Sequence, residues 1–287
     1  MNTDRTVDQL AQRLSRVTSN SGKHKARVID LQSVRVISAV KEITPREVEI
    51  FCLENNIIPA RYLRNIGTIG IDGQLKLLRS TVAVCGVGGL GGTIVELLAR
   101  QGIGRLTVID LGRFEENNLN RQIVATEDDL RKSKVRVAAA RIKKINSAVV
   151  VTPINKTIDS ENVKQFIKNA DVVLDGLDNF STRRLVAHAC RRLKIAFVHG
   201  AVAGFSGQLL TIFPEDKGWN AVCGPDAAAK GCGMEMLTGN PAATPTLIAA
   251  WEVQEAVKII AGIGHPIRNR LLFLDFAEGT VDDISLS

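Results

Sequence analysis

Short apolar runs alternate along most of the chain with longer segments in which apolar residues recur at helical spacing. The runs of strand length end at residues such as Cys85, Asp110 and Asp175, and turn-forming residues follow them. The segment from Lys134 to Ile145 is typical of the helical pattern. Because strands that alternate with helices favour a parallel sheet, we predict a doubly wound, Rossmann-like α/β fold with a mostly parallel sheet.

The same pattern predicts the main elements of this fold. The predicted strands are Thr81 to Cys85, Leu106 to Asp110, Val149 to Pro153, Val172 to Asp175, Ala196 to His199, Gln208 to Phe213 and a short final strand, Arg270 to Asp275. The predicted helices are Gly91 to Gln101, Lys134 to Ile145, Thr182 to Arg192 and Thr246 to Ala261. A Gly/Pro-rich loop lies between Phe213 and about Pro245, and loops of this length in compact domains are often functional.

The region before this pattern is more polar, and we predict an N-terminal helical extension over residues 1–60, followed by the main domain over 61–287. The stretch from Ser19 to Lys25 is rich in small and polar residues, so we expect a flexible joint there. A helix start is marked by Thr44, with Pro45 at the first helical position and Glu47 three residues after the cap.

Composition excludes several classes of protein. The 287 residues are 45% hydrophobic and 23% charged, which is the ordinary range for a soluble globular chain. No apolar run reaches the length of a membrane span and the N-terminus lacks an apolar signal core, so we expect a cytoplasmic protein. The net charge of +7 is spread along the chain and aromatic residues are few, which makes nucleic-acid binding an unfavoured explanation. Acidic small molecules or an acidic protein partner explain the charge equally well.

The most specific local signal is a glycine-rich turn between a predicted strand and a predicted helix. Gly86, Gly88, Gly89 and Gly91 allow the backbone to approach a phosphate, and the helix that follows presents free N–H groups to an anion. Asp110 ends the next strand, where a carboxylate can accept hydrogen bonds from a ribose. On these features alone, NAD or FAD is as suitable a ligand as ATP.

Two further segments favour a triphosphate. Asn117, Asn118 and Arg121 follow the predicted ribose-binding Asp110, and a cation there, together with Lys134, would counter the charge of ATP. Asp178 follows the strand that ends at Asp175, at the edge where ligands bind in such sheets, and it supplies a carboxylate suited to Mg²⁺.

Taken together, these motifs resemble the ThiF/MoeB/HesA family of E1-like adenylyltransferases, which activate sulfur-carrier proteins. The resemblance covers the chain from about Arg61 onward and includes the N-L-x-R-Q segment at Asn118 to Gln122 and D-N-x-x-T-R at Asp178 to Arg183. It implies that ATP is contacted by Gly89, Asp110, Asn118, Arg121, Lys134, Asp178 and Asn179, with Asp178 as the magnesium ligand. It also implies that Arg64 reaches the triphosphate of a neighbouring subunit, and hence a homodimer.

Simpler interpretations of these residues remain open. Lys134 could be a solvated charge at a helix start, and Arg64 could belong to a surface ion pair. Asp178 could cap the helix that begins near Thr182. For His199 we favour a packing or loop-ordering role over catalysis.

The sequence also departs from the family pattern. The five cysteines include no C-x-x-C pair, so we expect reduced thiols and no zinc site of the family type. Gly112 stands where some relatives carry a second acidic residue. Cys232 stands where several relatives carry a reactive cysteine, but an inert loop thiol is the simpler interpretation. We expect Cys85 and Cys190 to be core residues.

The resemblance therefore predicts an enzyme that uses ATP and Mg²⁺ to adenylate the C-terminal glycine of a small ubiquitin-like carrier ending in Gly-Gly. Adenylation of a small-molecule carboxylate is the first alternative. An NAD-dependent dehydrogenase and a non-catalytic ATP-binding scaffold are further ones.

Overall fold

Two sheets form the framework of the protein. The computed structural model describes residues 2–20, 24–216, 219 and 238–286. The N-terminal region contains α1 (Asn2–Leu14), β1 (Arg16–Asn20), β2 (His24–Ile29), α2 (Leu31–Lys41), α3 (Pro45–Glu54) and β3 (Ile57–Pro59). The remaining strands are β4 (Thr81–Cys85), β5 (Arg105–Ile109), β6 (Val150–Ile154), β7 (Val172–Asp175), β8 (Ala196–Ala203), β9 (Ser206–Ile212), β10 (Arg270–Asp275) and β11 (Thr280–Ser285). The remaining helices are α4 (Ile66–Arg79), α5 (Gly89–Gln101), α6 (Lys134–Ile145), α7 (Val163–Ile167), α8 (Phe180–Leu193) and α9 (Ala243–Ala261).

The N-terminal region is not purely helical, which corrects the sequence prediction. Strands β1 and β2 pair antiparallel, and β3 joins β2 in parallel to complete a three-stranded sheet. The expected flexible joint at Ser19 to Lys25 includes paired strand residues, since Asn20 lies opposite His24; residues 21–23 fall outside the described part. Strand β1 was missed because its residues are mostly polar, and β3 because it has only three residues.

The predicted start of α3 is confirmed in detail. The Thr44 hydroxyl accepts a hydrogen bond from the Glu47 amide, and the Glu47 carboxylate accepts one from the Thr44 amide at 2.7 Å. This capping box satisfies two helix-end donors at once. The helix then buries Val48 and Cys52 against the rest of the N-terminal core, so its position is fixed by packing as well as by the cap.

The large sheet is doubly wound, as the sequence predicts. Its strand order is β11-β10-β9-β8-β7-β4-β5-β6, with β4 to β8 parallel and β9 to β11 antiparallel. Val82 and Val84 on β4 face the cluster that includes α5, α6 and α9, while Ala83 and Cys85 face the cluster that includes α8. Because the chain moves from β4 to β5 on one side and returns to β7 on the other, the topological switch point lies between β4 and β7. Ligands bind at such a point, at the carboxyl ends of the strands.

Most predicted elements are confirmed to within a few residues, and the differences have physical causes. Strand β8 continues past His199 to Ala203 because it forms a hairpin with β9. Helix α4 was not predicted, since its glycines interrupt the pattern and Gly70 kinks it with φ of +70°. Strand β11 was missed because all of its residues are exposed. None of the helices in the described ranges has the length and apolar character that a membrane crossing requires.

A buried polar cluster joins the N-terminal region to the main domain across the predicted boundary at residue 60. The hydroxyl of Tyr62 donates to Glu49 of α3 at 2.9 Å and accepts from the side-chain amide of Asn146 at 2.8 Å. The same amide donates to the Ala99 carbonyl, and Arg61 bonds to the Asn146 side-chain oxygen. Leu53, Tyr62 and Leu78 form a small apolar cluster beside these groups. The extension is therefore packed into the main domain.

We predict that Tyr62→Phe destabilises the protein while retaining its fold. The substitution leaves the buried oxygen of Glu49 without its donor, and such losses cost about 1–3 kcal/mol. Urea unfolding followed by circular dichroism measures the change. The control is Val281→Ala at an exposed position of β11, which should have little effect. An unchanged free energy of unfolding in Tyr62→Phe would show that the hydroxyl is not a stabilising contact.

Candidate functional site

The glycine-rich turn after β4 is built by direct backbone contact with the loop after β7. Gly86 has φ of +94°, and a Cβ atom there would lie 2.3 Å from the carbonyl oxygen of Gly176. A Cβ at Gly91, in the first turn of α5, would lie 1.9 Å from the Gly86 oxygen. At Gly88, by contrast, a Cβ would meet no atom closer than 3.9 Å. Gly86 and Gly91 are thus required by the fold, whereas Gly88 borders open space.

That open space is a cavity of about 340 Å³ at the carboxyl ends of the parallel strands. Of the residues predicted for the site, it is lined by Gly86, Gly88, Gly89, Asp110, Arg121, Lys134, Asp178 and Asn179. Five different segments of the chain supply these eight residues, which is how a switch-point site is assembled.

Asp110, at the end of β5, holds the turn in place. One oxygen of its carboxylate accepts the Val87 amide at 2.8 Å, and the other accepts the Gly112 amide at 2.6 Å. Gly112 packs tightly here, since a Cβ would lie 2.9 Å from the Asp110 oxygen. A larger residue at position 112 would therefore disturb Asp110, which gives a local reason for the missing second acid.

A short 3₁₀ helix, Glu116–Asn118, is followed by a turn that carries Arg121. The guanidinium of Arg121 donates to the Asn117 carbonyl at 2.8 Å and to the Asn120 side-chain oxygen at 2.7 Å. Asn118 is buried, and its side-chain oxygen accepts the Glu115 amide. Neither Asn117 nor Asn118 lines the cavity. In this structure they shape the turn that presents Arg121.

Two lysines enter the cavity from neighbouring elements. Lys134 is the first residue of α6, and its amide donates to the Gly112 carbonyl at 3.0 Å. Its ammonium group lies 5.9 Å from the ring centroid of Phe114. Lys156, together with Thr157, follows β6 and also lines the cavity. The sequence analysis missed Lys156, although its place after a predicted strand was a usable signal.

Asp178 and Asn179 have separate roles at the start of α8. The side-chain oxygen of Asn179 accepts the Thr182 amide at 2.9 Å, so Asn179 is the N-cap. The alternative that Asp178 caps this helix is therefore wrong. The carboxylate of Asp178 is exposed in the cavity lining and contacts only the Asn179 amide group, at 3.3 Å, among its described hydrogen-bond partners.

Other predicted residues lie apart from the cavity. Gly91 lies against Gly86 of the turn and does not line the cavity. Arg64 is exposed, two residues after Tyr62, and does not line the cavity of its own chain. Cys232, like Cys223, lies outside the described residues. Cys85 and Cys190 are buried core residues, as predicted.

A fully buried polar network lies beneath the site, between β7, β8 and α8. His199 bonds through Nδ1 to an oxygen of Asp175 at 2.7 Å and through Nε2 to the Gln208 amide at 3.1 Å. The Nε atom of Arg183 lies 3.1 Å from that Asp175 oxygen, an ion-pair contact without hydrogen-bond alignment. Burial lowers the pKa of His199, so the ring is neutral, with its proton on Nδ1 toward the carboxylate. His199 is 0% exposed and cannot touch a substrate.

Glu252 of α9 adjoins this network without a hydrogen-bond partner among the described residues. Both of its oxygens are buried, beside Gly200 of β8. Burial raises the pKa of Glu252 well above its usual value, and the negative charge of Asp175 raises it further. Burial therefore favours the neutral form of this carboxyl group in the folded protein.

Fold and site together define a class: a nucleotide-binding α/β enzyme of the E1-like adenylating type. A model of the ThiF family matches residues 62–287, and the chain belongs to that family.

Known proteins that resemble the chain agree with this assignment. It is 36% identical to the SAMP-activating enzyme E1 of Haloferax volcanii, over 78% of this chain and 84% of that protein. It is 34% identical to a sulfur carrier protein adenylyltransferase of Thermus thermophilus, over 74% of this chain and 80% of the relative. The chain spans only about half the length of the maize relatives, named adenylyltransferase and sulfurtransferase MOCS3.

A solved structure shows the same fold over a longer part of the chain. Escherichia coli MccB, in a crystal structure with ATP, is similar with a TM-score of 0.70 at 22% identity, over 88% of this chain and 82% of MccB. This share exceeds the part matched by the family model, so the structural likeness extends into the N-terminal region.

We predict opposite outcomes for alanine at two glycines of the turn. Gly91→Ala places a methyl group against the Gly86 carbonyl and should strongly destabilise the protein, because backbone must move. Gly88→Ala meets no close atom, so the fold should survive while the methyl group fills space above the turn and weakens nucleotide binding. Melting temperature and calorimetric titration with ATP separate the two effects. Normal ATP binding in Gly88→Ala would place the phosphates elsewhere.

We further predict that Glu252→Gln stabilises the protein more at high pH than at low pH. The carboxyl group stays protonated when folded but ionises above about pH 4.5 when unfolded, so its contribution falls as pH rises toward the raised pKa. Glutamine has nothing to ionise. The stability difference between variant and wild type should grow between pH 5 and pH 8, by at most about 1.4 kcal/mol per pH unit. A pH-independent difference in urea unfolding would mean that Glu252 is already ionised in the fold.

Proposed function

We propose that this protein uses ATP and Mg²⁺ to adenylate the C-terminal glycine of a small ubiquitin-like carrier protein, with release of pyrophosphate. The observation that carries the proposal is the convergence of the glycine turn, Asp110, three cationic side chains and Asp178 on one cavity. Relatives named as a SAMP-activating enzyme and a sulfur carrier protein adenylyltransferase support the carrier as the substrate.

The geometry of the turn supports the position of the nucleotide. Gly88 borders the open cavity, and Gly89 and Leu90 at the start of α5 line it, where the free N–H groups of a helix N-terminus suit an anion. Asp110 holds the turn with both carboxylate oxygens, and each oxygen retains a lone pair for a ribose hydroxyl.

The cations around the cavity account for the chemistry. In the proposed reaction a carboxylate oxygen of the carrier attacks the α-phosphorus of ATP, the bond to the β-phosphate breaks, and pyrophosphate leaves. A carboxylate is already ionised at neutral pH, so no general base is needed. The obstacle is repulsion between anions, and Arg121, Lys134 and Lys156 are placed to reduce it. Arg183 also reaches the lining, but its charge is paired with Asp175.

Asp178 is the residue best suited to hold magnesium. Mg²⁺ is commonly held by one or two carboxylates and the phosphates of a substrate, so one exposed carboxylate in this lining is a sufficient donor set. The ion would supply charge neutralisation on the triphosphate. Asn179 keeps its oxygen on the Thr182 amide and so orders the loop beside Asp178.

The proposal extends to a homodimer in which each subunit completes the site of the other. Arg64 is exposed and far enough from its own cavity not to line it, which is compatible with contact to the triphosphate in a partner subunit. A covalent role for Cys232 remains a weaker hypothesis, and a Cys232→Ala protein with full turnover would exclude it.

ATP–pyrophosphate exchange tests the function and the assignment of Lys156 together. We expect exchange that requires magnesium and a carrier ending in Gly-Gly, and that is lost in Asp178→Ala. Lys156→Ala should raise the KM for ATP about tenfold, since a charge-assisted contact contributes about 1.5–3 kcal/mol.

Lys168→Ala is the matched control, because Lys168 is exposed beyond α7 and does not line the cavity. Equal effects of the two alanine variants would refute the role of Lys156. ATP binding without exchange, for any Gly-Gly carrier tried, would refute carrier adenylation and favour a small carboxylate or a scaffold role.

A further inference from the structure

The loop that carries Asp178 is held from below by two charged residues. The Leu177 amide donates to one oxygen of Asp175 at 2.9 Å, and the Leu177 carbonyl accepts from the guanidinium of Arg183. Both backbone groups of the residue that precedes Asp178 are therefore fixed. On the other side, Gly176 is in contact with Gly86 and Gly91 of the phosphate turn.

His199 fixes the group on which this arrangement depends. Its Nδ1 donates to the second oxygen of Asp175, the oxygen that Arg183 also approaches. The ring is itself held, since Gln208 contacts Nε2 and Trp219 packs edge-on with ring centroids 4.6 Å apart. A carboxylate that is bonded from three directions cannot rotate without breaking several contacts at once.

We propose that His199, acting through Asp175 and Arg183, is a positioning residue that sets the Gly176–Asp178 loop for the metal–triphosphate complex. This inference rests on the proposed function, because it assigns Asp178 to magnesium. His199 touches neither substrate nor metal. Its effect is to hold the Asp178 carboxylate at one place relative to the phosphate turn.

Structural stability alone is a weak reason for such a network. Burying charged and polar groups costs desolvation, and well-packed apolar residues are often at least as stabilising. The three partners of Asp175 nevertheless converge on the loop beside the cavity, while Glu252, equally buried nearby, makes no hydrogen bond among the described residues. The hydrogen bonds are concentrated where the position of a loop matters for the site.

Two substitutions at position 199 separate positioning from packing. In His199→Asn the amide nitrogen takes the place of Nδ1 and can still donate to Asp175. In His199→Gln the amide oxygen can take the place of Nε2 and accept from the Gln208 amide, so this contact can remain while Asp175 loses its donor. We expect near-normal behaviour in the Asn variant and a selective defect in the Gln variant.

The readout is calorimetric titration with Mg²⁺–ATP, with ATP in EDTA, and with AMP. His199→Gln should weaken binding of Mg²⁺–ATP about tenfold, as expected for loss of a hydrogen bond to a charged group, and leave AMP binding unchanged. His199→Asn should remain within about twofold of wild type for all three ligands, by the same reasoning. Thr211→Val is the control, because it removes one buried hydrogen bond, to Glu255, that does not belong to the Asp175 network.

Each other outcome has a definite meaning. Wild-type affinity for Mg²⁺–ATP in both His199 variants would overturn the proposal. An equal loss of AMP and Mg²⁺–ATP binding in His199→Gln, together with a lower melting temperature, would also overturn it, because that result indicates a role in packing alone. Failure of the proposed function is distinguishable, since the wild-type protein would then show no carrier-dependent exchange whatever the variants bind.

Discussion

Contact between the backbones of three glycines determines where the other parts of the site can lie. Gly86, Gly91 and Gly176 approach so closely that a methyl group on any of them would meet main-chain atoms at 2.6 Å or less. This contact brings the turn after β4 against the loop after β7, two segments about ninety residues apart in the chain. The spacing between the amides of the glycine turn and the Asp178 carboxylate follows from it, because neither segment can move away without opening the sheet edge.

Electrostatics at the site divides between an exposed layer and a buried one. In the cavity lining, Arg121, Lys134 and Lys156 carry positive charge. The carboxylates in the lining are those of Asp110 and Asp178. Below it, Asp175 and Arg183 neutralise one another, while burial shifts the pKa values of Glu252 and His199 in the directions that favour their uncharged forms. Because the buried layer is neutral, the electrostatic field in the cavity comes from the residues that line it. Charges in such partly enclosed sites interact more strongly than charges in water.

The predictions from the sequence were most accurate where the local residue pattern and the position in the fold require the same structure. Strands β4 and β7 were predicted with their observed ends because both are continuous apolar runs, almost entirely buried. The glycine turn was recognised because its conformation demands particular residues. Asn118 was placed in the site by the amide-rich segment after Asp110 and by the family pattern; its side-chain oxygen accepts the Glu115 amide within the turn, and its contact with ATP stays a prediction. Lys156 was missed since a lone lysine after a strand resembles any solvated charge. The pairing of His199 with Asp175 required the alignment of β7 beside β8, which no local pattern encodes.

The polar cluster around Tyr62 shows that the residues matched by the family model need not coincide with the residues that pack together in the structure. The family match begins at residue 62, but the phenol of that residue bonds to Glu49, and the apolar cluster beside it contains Leu53. A chain shortened to the family boundary would lose the Glu49 acceptor of the Tyr62 hydroxyl and would leave an uncovered apolar patch. Residues before the boundary therefore pack directly against the enzyme core, and exchanging this region between relatives would require the Glu49 side of the interface to be transferred with it.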